Sequence, residues 1–150
     1  LNGGDVFRGE ARQRGLTLAE FGELCKTDLE VDRQLDAHLQ DRMTSEGAED
    51  IIESRLSGWW AYKLELDCVR LWIDVNDEER ARRVVGREQC TAEEALAANT
   101  KRTAVDAERF MELYGLLPEQ REPYTIVLDA TNLSREEVLA ATINILEATQ

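Results

Sequence analysis

The side chains of this chain that could do chemistry are arginines set among carboxylates, in three places. Gly-Gly-Asp-Val-Phe-Arg, residues 3–8, puts Asp5 and Arg8 three apart, on one face of any helix opening at the glycines. Backbone N–H groups at a helix start, with an arginine nearby, make an anion site. Glu53-Ser54-Arg55 follows Ile51-Ile52 and precedes Gly58-Trp59-Trp60. At the carboxyl end of a buried strand, where open parallel sheets bind ligands, such an arginine can reach a ligand. The third place is a pair of helical stripes: Arg80, Arg83 and Arg87, then Arg102, Asp106 and Arg109, whose aspartate can orient its neighbours. Arginine's planar fork grips phosphate bidentately, and all the cations except Lys26, Lys63 and Lys101 are arginine. The same spacings also describe solvated faces with ion pairs of about 0.3–0.5 kcal/mol each. A GC-rich genome gives the same arginine bias, and Trp59-Trp60 suits packing as well as base stacking. Spacing by itself points no further than an anion-binding domain.

Other chemistries are poorly served. The single histidine, His38, lies in a polar stretch expected to face solvent, so it has no partner for a metal site or serine triad. Cys25, Cys68 and Cys90 are odd in number and widely spaced, which suggests a reducing, cytoplasmic setting and no metal site. A net charge of −13 argues against a nucleic-acid polymer or an anionic membrane as partner. No stretch approaches the roughly 20 apolar residues of a membrane span. With 43% hydrophobic residues in 150, the chain has a globular composition and the length of one domain.

The positioning elements alternate. Helices are expected over residues 5–14, stopped by Gly15, over 18–26, and over 29–45, ended by Gly47. In the last of these Val31, Leu35, Leu39 and Met43 recur every four residues. Strands are expected at Ile51-Ile52, running into Arg55, at 69–75 and at 124–128, where near-continuous apolar runs suit burial on both faces of a parallel sheet. Helices at 77–88, 92–114 and 134–148 lie around them, the last opened by a Ser134/Glu137 capping box. This order predicts an α/β parallel sheet flanked by helices.

Taken in order, GGDVFR, LAEFGELC, VDRQLD, IIESRLSGW, ARRVVGRE and RTAVDAERFMELYG closely resemble the cytidylate kinase-like family of nucleoside monophosphate kinases, particularly its compact archaeal-type branch. The similarity runs nearly end to end. GD-x-x-R recurs across such kinases and is moderately specific; the ordered set is far more so. The resemblance implies a three-layer P-loop NTPase-like fold in one domain over residues 1–150, with an acceptor-binding helical region at about 4–46 and a lid with flanking helices at about 83–109. It implies transfer of the ATP γ-phosphoryl group to CMP or dCMP, with Mg2+, by a monomer. Arg8 would hold the acceptor phosphate, Asp5 would shape that pocket, and Arg55 would reach the same phosphate from a strand end. Asp32 and Arg33 would belong to the cap over the acceptor. Arg83 and Arg87 would enter the lid beside the transferred group, Arg102, Asp106 and Arg109 would match the lid and the helix behind it, and the segment after residue 128 would approach adenine. Positioning and electrostatics supply most of the acceleration in such transfers, which suits a chain with no credible histidine or cysteine catalyst.

The family begins with a strand, GxxxxGK[ST] and a helix ahead of the GGD motif; no such motif occurs in these residues. A truncated kinase missing its N-terminal strand, inactive as it stands, is the expectation. An adenylate-type or other small-acceptor kinase, or a non-catalytic nucleotide-binding protein, remains open.

Overall fold

The computed structural model describes residues 1–47 and 49–149, without the side chains of Ala19, Lys26, Arg87 and Glu88. Seven helices and two strands are described: α1 (Gly3–Gln13), α2 (Leu18–Thr27), α3 (Leu29–Thr44), α4 (Ser57–Lys63), β1 (Leu71–Asp74), α5 (Asp77–Glu88), α6 (Ala92–Tyr114), β2 (Ile126–Asp129) and α7 (Arg135–Ala148). Two compact units result, one of Leu1–Leu66 with Arg109–Pro123, the other of Asp67–Glu108 with Tyr124–Gln150.

In the first unit the helix boundaries follow local chemistry. The Asn2 side chain accepts from the Asp5 N–H, so α1 opens at the glycines themselves, and Gly15 ends that stretch with φ +68°. Thr17 and Glu20 close a capping box at the start of α2, and Asp28 caps α3. The four-residue stripe of α3 drifts around the helix, because four residues overshoot one turn by about 40°. Val31 and Leu35 therefore pack with Ala11, Phe21 and Cys25, whereas Met43 packs with Leu56, Trp59, Trp60, Phe110 and Leu116. The helix α3 thus joins two separate apolar clusters.

The expected strand at Ile51-Ile52 is not formed. Ile51 is 70% exposed, and the pairing there reduces to one parallel bridge, Asn2 with Glu53. Pairing here is confined to residues 1–3, where the Leu1 amino group donates to the Ile51 carbonyl at 2.6 Å, and Gly3 then opens α1, too short a run for a named strand. Past Arg55 the chain instead turns into α4, an element not anticipated from the sequence, which buries Trp59 and Trp60 as core.

In the second unit β1 and β2 run parallel, Leu71 beside Ile126 and Asp74 beside Asp129. They are shorter than the apolar runs that announced them. The expectation of burial on both faces also fails: Ile73 is 46% and Val127 43% exposed. A three-layer arrangement is accordingly not displayed by the described residues, whose named sheet has two strands. The helices α5, α6 and α7 lie where the periodicity places them, and the Ser134/Glu137 capping box is present.

Leu56, 2% exposed, sits at the centre of the tryptophan cluster. Leu56→Ala should cost about 2–5 kcal/mol, read as a lower midpoint at unchanged slope in urea unfolding.

Candidate functional site

In the first unit, residues 1–3 are stitched to residues 51–54. The Glu53 N–H donates to the Leu1 carbonyl at 2.9 Å, the Gly3 N–H donates to the Glu53 carbonyl at 2.7 Å, and Asn2 Nδ2 donates to the Glu53 carboxylate at 2.5 Å. A Cβ on Gly3 would lie 2.7 Å from Ser54 Cβ, so only glycine allows this approach. The stitching sets the first two turns of α1, which carry Asp5 and Arg8, beside the segment carrying Arg55. Arg8 Nη2 donates to Asp5 Oδ1 at 2.6 Å, the pairing expected from their spacing, and its side chain remains 47% exposed. Arg55 is also exposed.

Asp32 and Arg33 diverge although adjacent on α3. Arg33 is a surface cation 3.6 Å from Glu30. Asp32 is buried, and its Oδ2 lies 3.2 Å from Arg109 Nε in a pair with side chains 7% and 13% exposed. The Arg109 guanidinium also stacks 5.0 Å from the Phe110 ring centroid. Of the three residues expected in the lid and the helix behind it, Asp106 lies 4.0 Å from Arg102, while Arg109 pairs with Asp32 in the first unit.

One turn beyond Asp32 lies a carboxylate that the sequence reading passed over. Asp36 Oδ2 accepts from the Tyr114 hydroxyl at 2.8 Å, and its Oδ1 accepts from Trp60 Nε1 at 3.3 Å. Burial raises the pKa of Asp36, against the two hydrogen bonds and the nearby guanidiniums of Arg109 and Arg55. Burial and the Asp36 charge push the Tyr114 hydroxyl up as well. The i, i+4 spacing of Asp32 and Asp36 was the signal available, but partners 24 and 78 residues away have no trace in local pattern. Cys25, fully buried and pushed up to about 11 by desolvation and then by Asp32, has the character of a core residue.

A cavity of about 440 Å3 in this unit is lined by Val6, Gly9, Gln13, Val31, Gln34 and His38 among others. At about 100° per residue its α1 face is turned roughly opposite to Arg8, so it does not coincide with the arginine site. His38 is exposed, as expected.

In the second unit, Arg83 is engaged by the protein itself. Its Nε donates to Glu79 at 2.8 Å, and its Nη2 donates to the carbonyls of Ala130 and Leu133 at 2.7 and 3.0 Å. This ties α5 to the turn after β2, the segment expected near adenine. Arg80 is an exposed pair of Asp77 at 3.3 Å. The Arg87 side chain, expected beside Arg83, lies outside the described residues. Arg82 and Arg83 together hold the Glu79 carboxyl down to about 2. Among the described residues no group of three or more His, Cys, Asp or Glu is placed to hold a metal ion. Among the same residues no helix is long and apolar enough to cross a membrane.

A cytidylate kinase of Halobacterium salinarum is 35% identical over 151 residues, spanning 100% of this chain and 77% of that protein. One from Methanospirillum hungatei is 35% identical over 92% of this chain and 76% of its own length. One from Natronomonas pharaonis is 36% identical over 93% and 71%. The chain belongs to the cytidylate kinase family. The cytidylate kinase relatives imply an α/β fold of the P-loop NTPase kind and a nucleoside monophosphate kinase activity. No protein-family profile matches the chain, and no solved structure does.

Two outcomes follow from the geometry. Asp32→Ala removes the carboxylate 3.2 Å from the buried Arg109 and should cost about 3–5 kcal/mol in urea unfolding, while replacing both residues by apolar ones of similar volume should recover most of that loss. Glu79 is held below its ordinary 4.5, so its ionised form stabilises the fold fully above that value and loses this effect as the pH falls towards about 2. The difference in thermal midpoint between wild type and Glu79→Gln should therefore shrink across that window.

Proposed function

We propose that this chain carries the acceptor side of a kinase that transfers the γ-phosphoryl group of ATP to CMP or dCMP, giving the diphosphate. The observation that carries the reading is the stitching of residues 1–3 to 51–54. It fixes to one another the segments that carry two exposed arginines, Arg8 and Arg55.

In this reading the acceptor phosphate lies at the N-terminus of α1, where the helix dipole and backbone N–H groups favour an anion. Arg8, pre-oriented by Asp5, and Arg55 supply charge-assisted hydrogen bonds. Such a phosphate oxygen is already anionic at neutral pH, so the transfer needs no dedicated base. Arg33 and the buried pair of Asp32 and Arg109 belong to the cap: the first lines its surface, and the pair holds it in place. Arg83, with the turn after β2, forms the wall proposed for the donor adenine, and Arg87 with Arg102 and Asp106 makes up the lid. Donor, acceptor and arginines act by alignment and charge neutralisation. The acceptor-binding helical region then covers residues 4–46, and the lid with its flanking helices covers 83–109.

Titration calorimetry of the chain with CMP, dCMP, UMP and AMP tests the proposal. Preferential binding of CMP or dCMP is expected, and Arg8→Ala should weaken it by about 1.5–3 kcal/mol. Equal affinity for all four would move the reading to a general small-acceptor kinase, and an unchanged affinity in Arg8→Ala would return Arg8 to the solvated surface.

A further inference from the structure

We propose that Asp36 is a positioning residue for the acceptor phosphate, acting through Trp60 and α4 to hold Arg55 in place; the inference rests on the acceptor reading above.

The argument begins with the weakness of α4. The helix has seven residues, and its N-cap, Leu56, provides no side-chain hydrogen bond. Helices this short do not persist on propensity. What fixes α4 is tertiary: burial of Leu56, Trp59 Nε1 donating to the Leu117 carbonyl at 2.9 Å, and Trp60 Nε1 donating to Asp36. Of these, only the Asp36 bond runs to α3, the helix that carries the cap. The same carboxylate is held from α6 by Tyr114, whose ring meets that of Trp60 edge-on at 4.8 Å. Three helices therefore converge on one carboxylate. The start of α4 is in turn locked to the arginine-bearing segment, because Ser57 Oγ donates to the Ser54 carbonyl at 3.0 Å and accepts from the Ser54 N–H at 3.3 Å. Arg55 lies inside that turn. The path from α3 to Arg55 is thus a series of direct contacts: Asp36, Trp60, the backbone of α4, Ser57, Ser54.

The chemistry also says which substitutions separate shape from charge. Asparagine at position 36 can still accept from Trp60 through Oδ1, and its Nδ2 can donate to the Tyr114 hydroxyl oxygen, so both links survive without the charge. Alanine breaks both. Trp60→Phe keeps an aromatic ring and removes only the donor to Asp36.

The affinities of the chain for CMP and for cytidine, which lacks the phosphate, decide the matter, with far-UV circular dichroism showing that each variant is folded. Asp36→Ala and Trp60→Phe should each weaken CMP about tenfold while cytidine changes by less than about twofold, and Asp36→Asn should restore CMP binding. A merely structural carboxylate would lower both ligands in proportion. Equal losses of CMP and cytidine, or a folded Trp60→Phe that binds CMP as wild type does, overturns the inference. A wild-type chain that binds no CMP overturns the acceptor reading, and this inference with it, before any substitution is made.

Discussion

Two carboxylates on one face of α3 hold the first unit together. Asp32 is buried against Arg109, and Asp36, one turn on, gathers Trp60 from α4 and Tyr114 from α6. An apolar seam alone would let α3 slide or roll along its neighbours, since the hydrophobic effect has no direction. Hydrogen bonds and an ion pair between specified atoms remove that freedom, at the cost of desolvating two charges. The helix can then belong to two apolar clusters at once, one with α1 and α2 and one with α4 and α6.

The arginines divide by what they touch. Arg8 and Arg55 keep exposed side chains on segments that the backbone bridge fixes together, the condition a ligand site requires. Arg109 is spent on Asp32, and Arg83 on Glu79 and two carbonyls. An arginine held by a buried carboxylate shapes the protein more than it meets a ligand, whereas one beside an exposed aspartate can exchange partners at little cost. Arg83 is intermediate: carbonyls of Ala130 and Leu133 hold it at the turn after β2, which ties α5 to that turn.

Much of this was legible beforehand. The Ser134/Glu137 capping box, the glycine at residue 15 and the 3.6-residue periodicity located most of the helices to within a few residues, because each of those signals acts over one turn. The pairing of Asp5 with Arg8 was legible for the same reason. The strand at Ile51-Ile52 was misread because apolar identity says what could be buried and not whether a partner covers it. The short helix α4 escaped notice because its seven residues have no cap and owe their shape to Leu117, Asp36 and the cluster around Leu56.

The chain by itself therefore determined its helices other than α4, its α/β character, its arginine-rich anion chemistry and, through an ordered set of motifs, its family. Tertiary structure alone decided which arginines are exposed and which are buried against distant partners. The partner of Arg109 is 77 positions away in sequence, those of Asp36 are 24 and 78, and the carbonyls that take Arg83 are 47 and 50. Local pattern reports on energies shared between residues a turn apart, and a buried charge finds its counterpart only after the chain has closed over it.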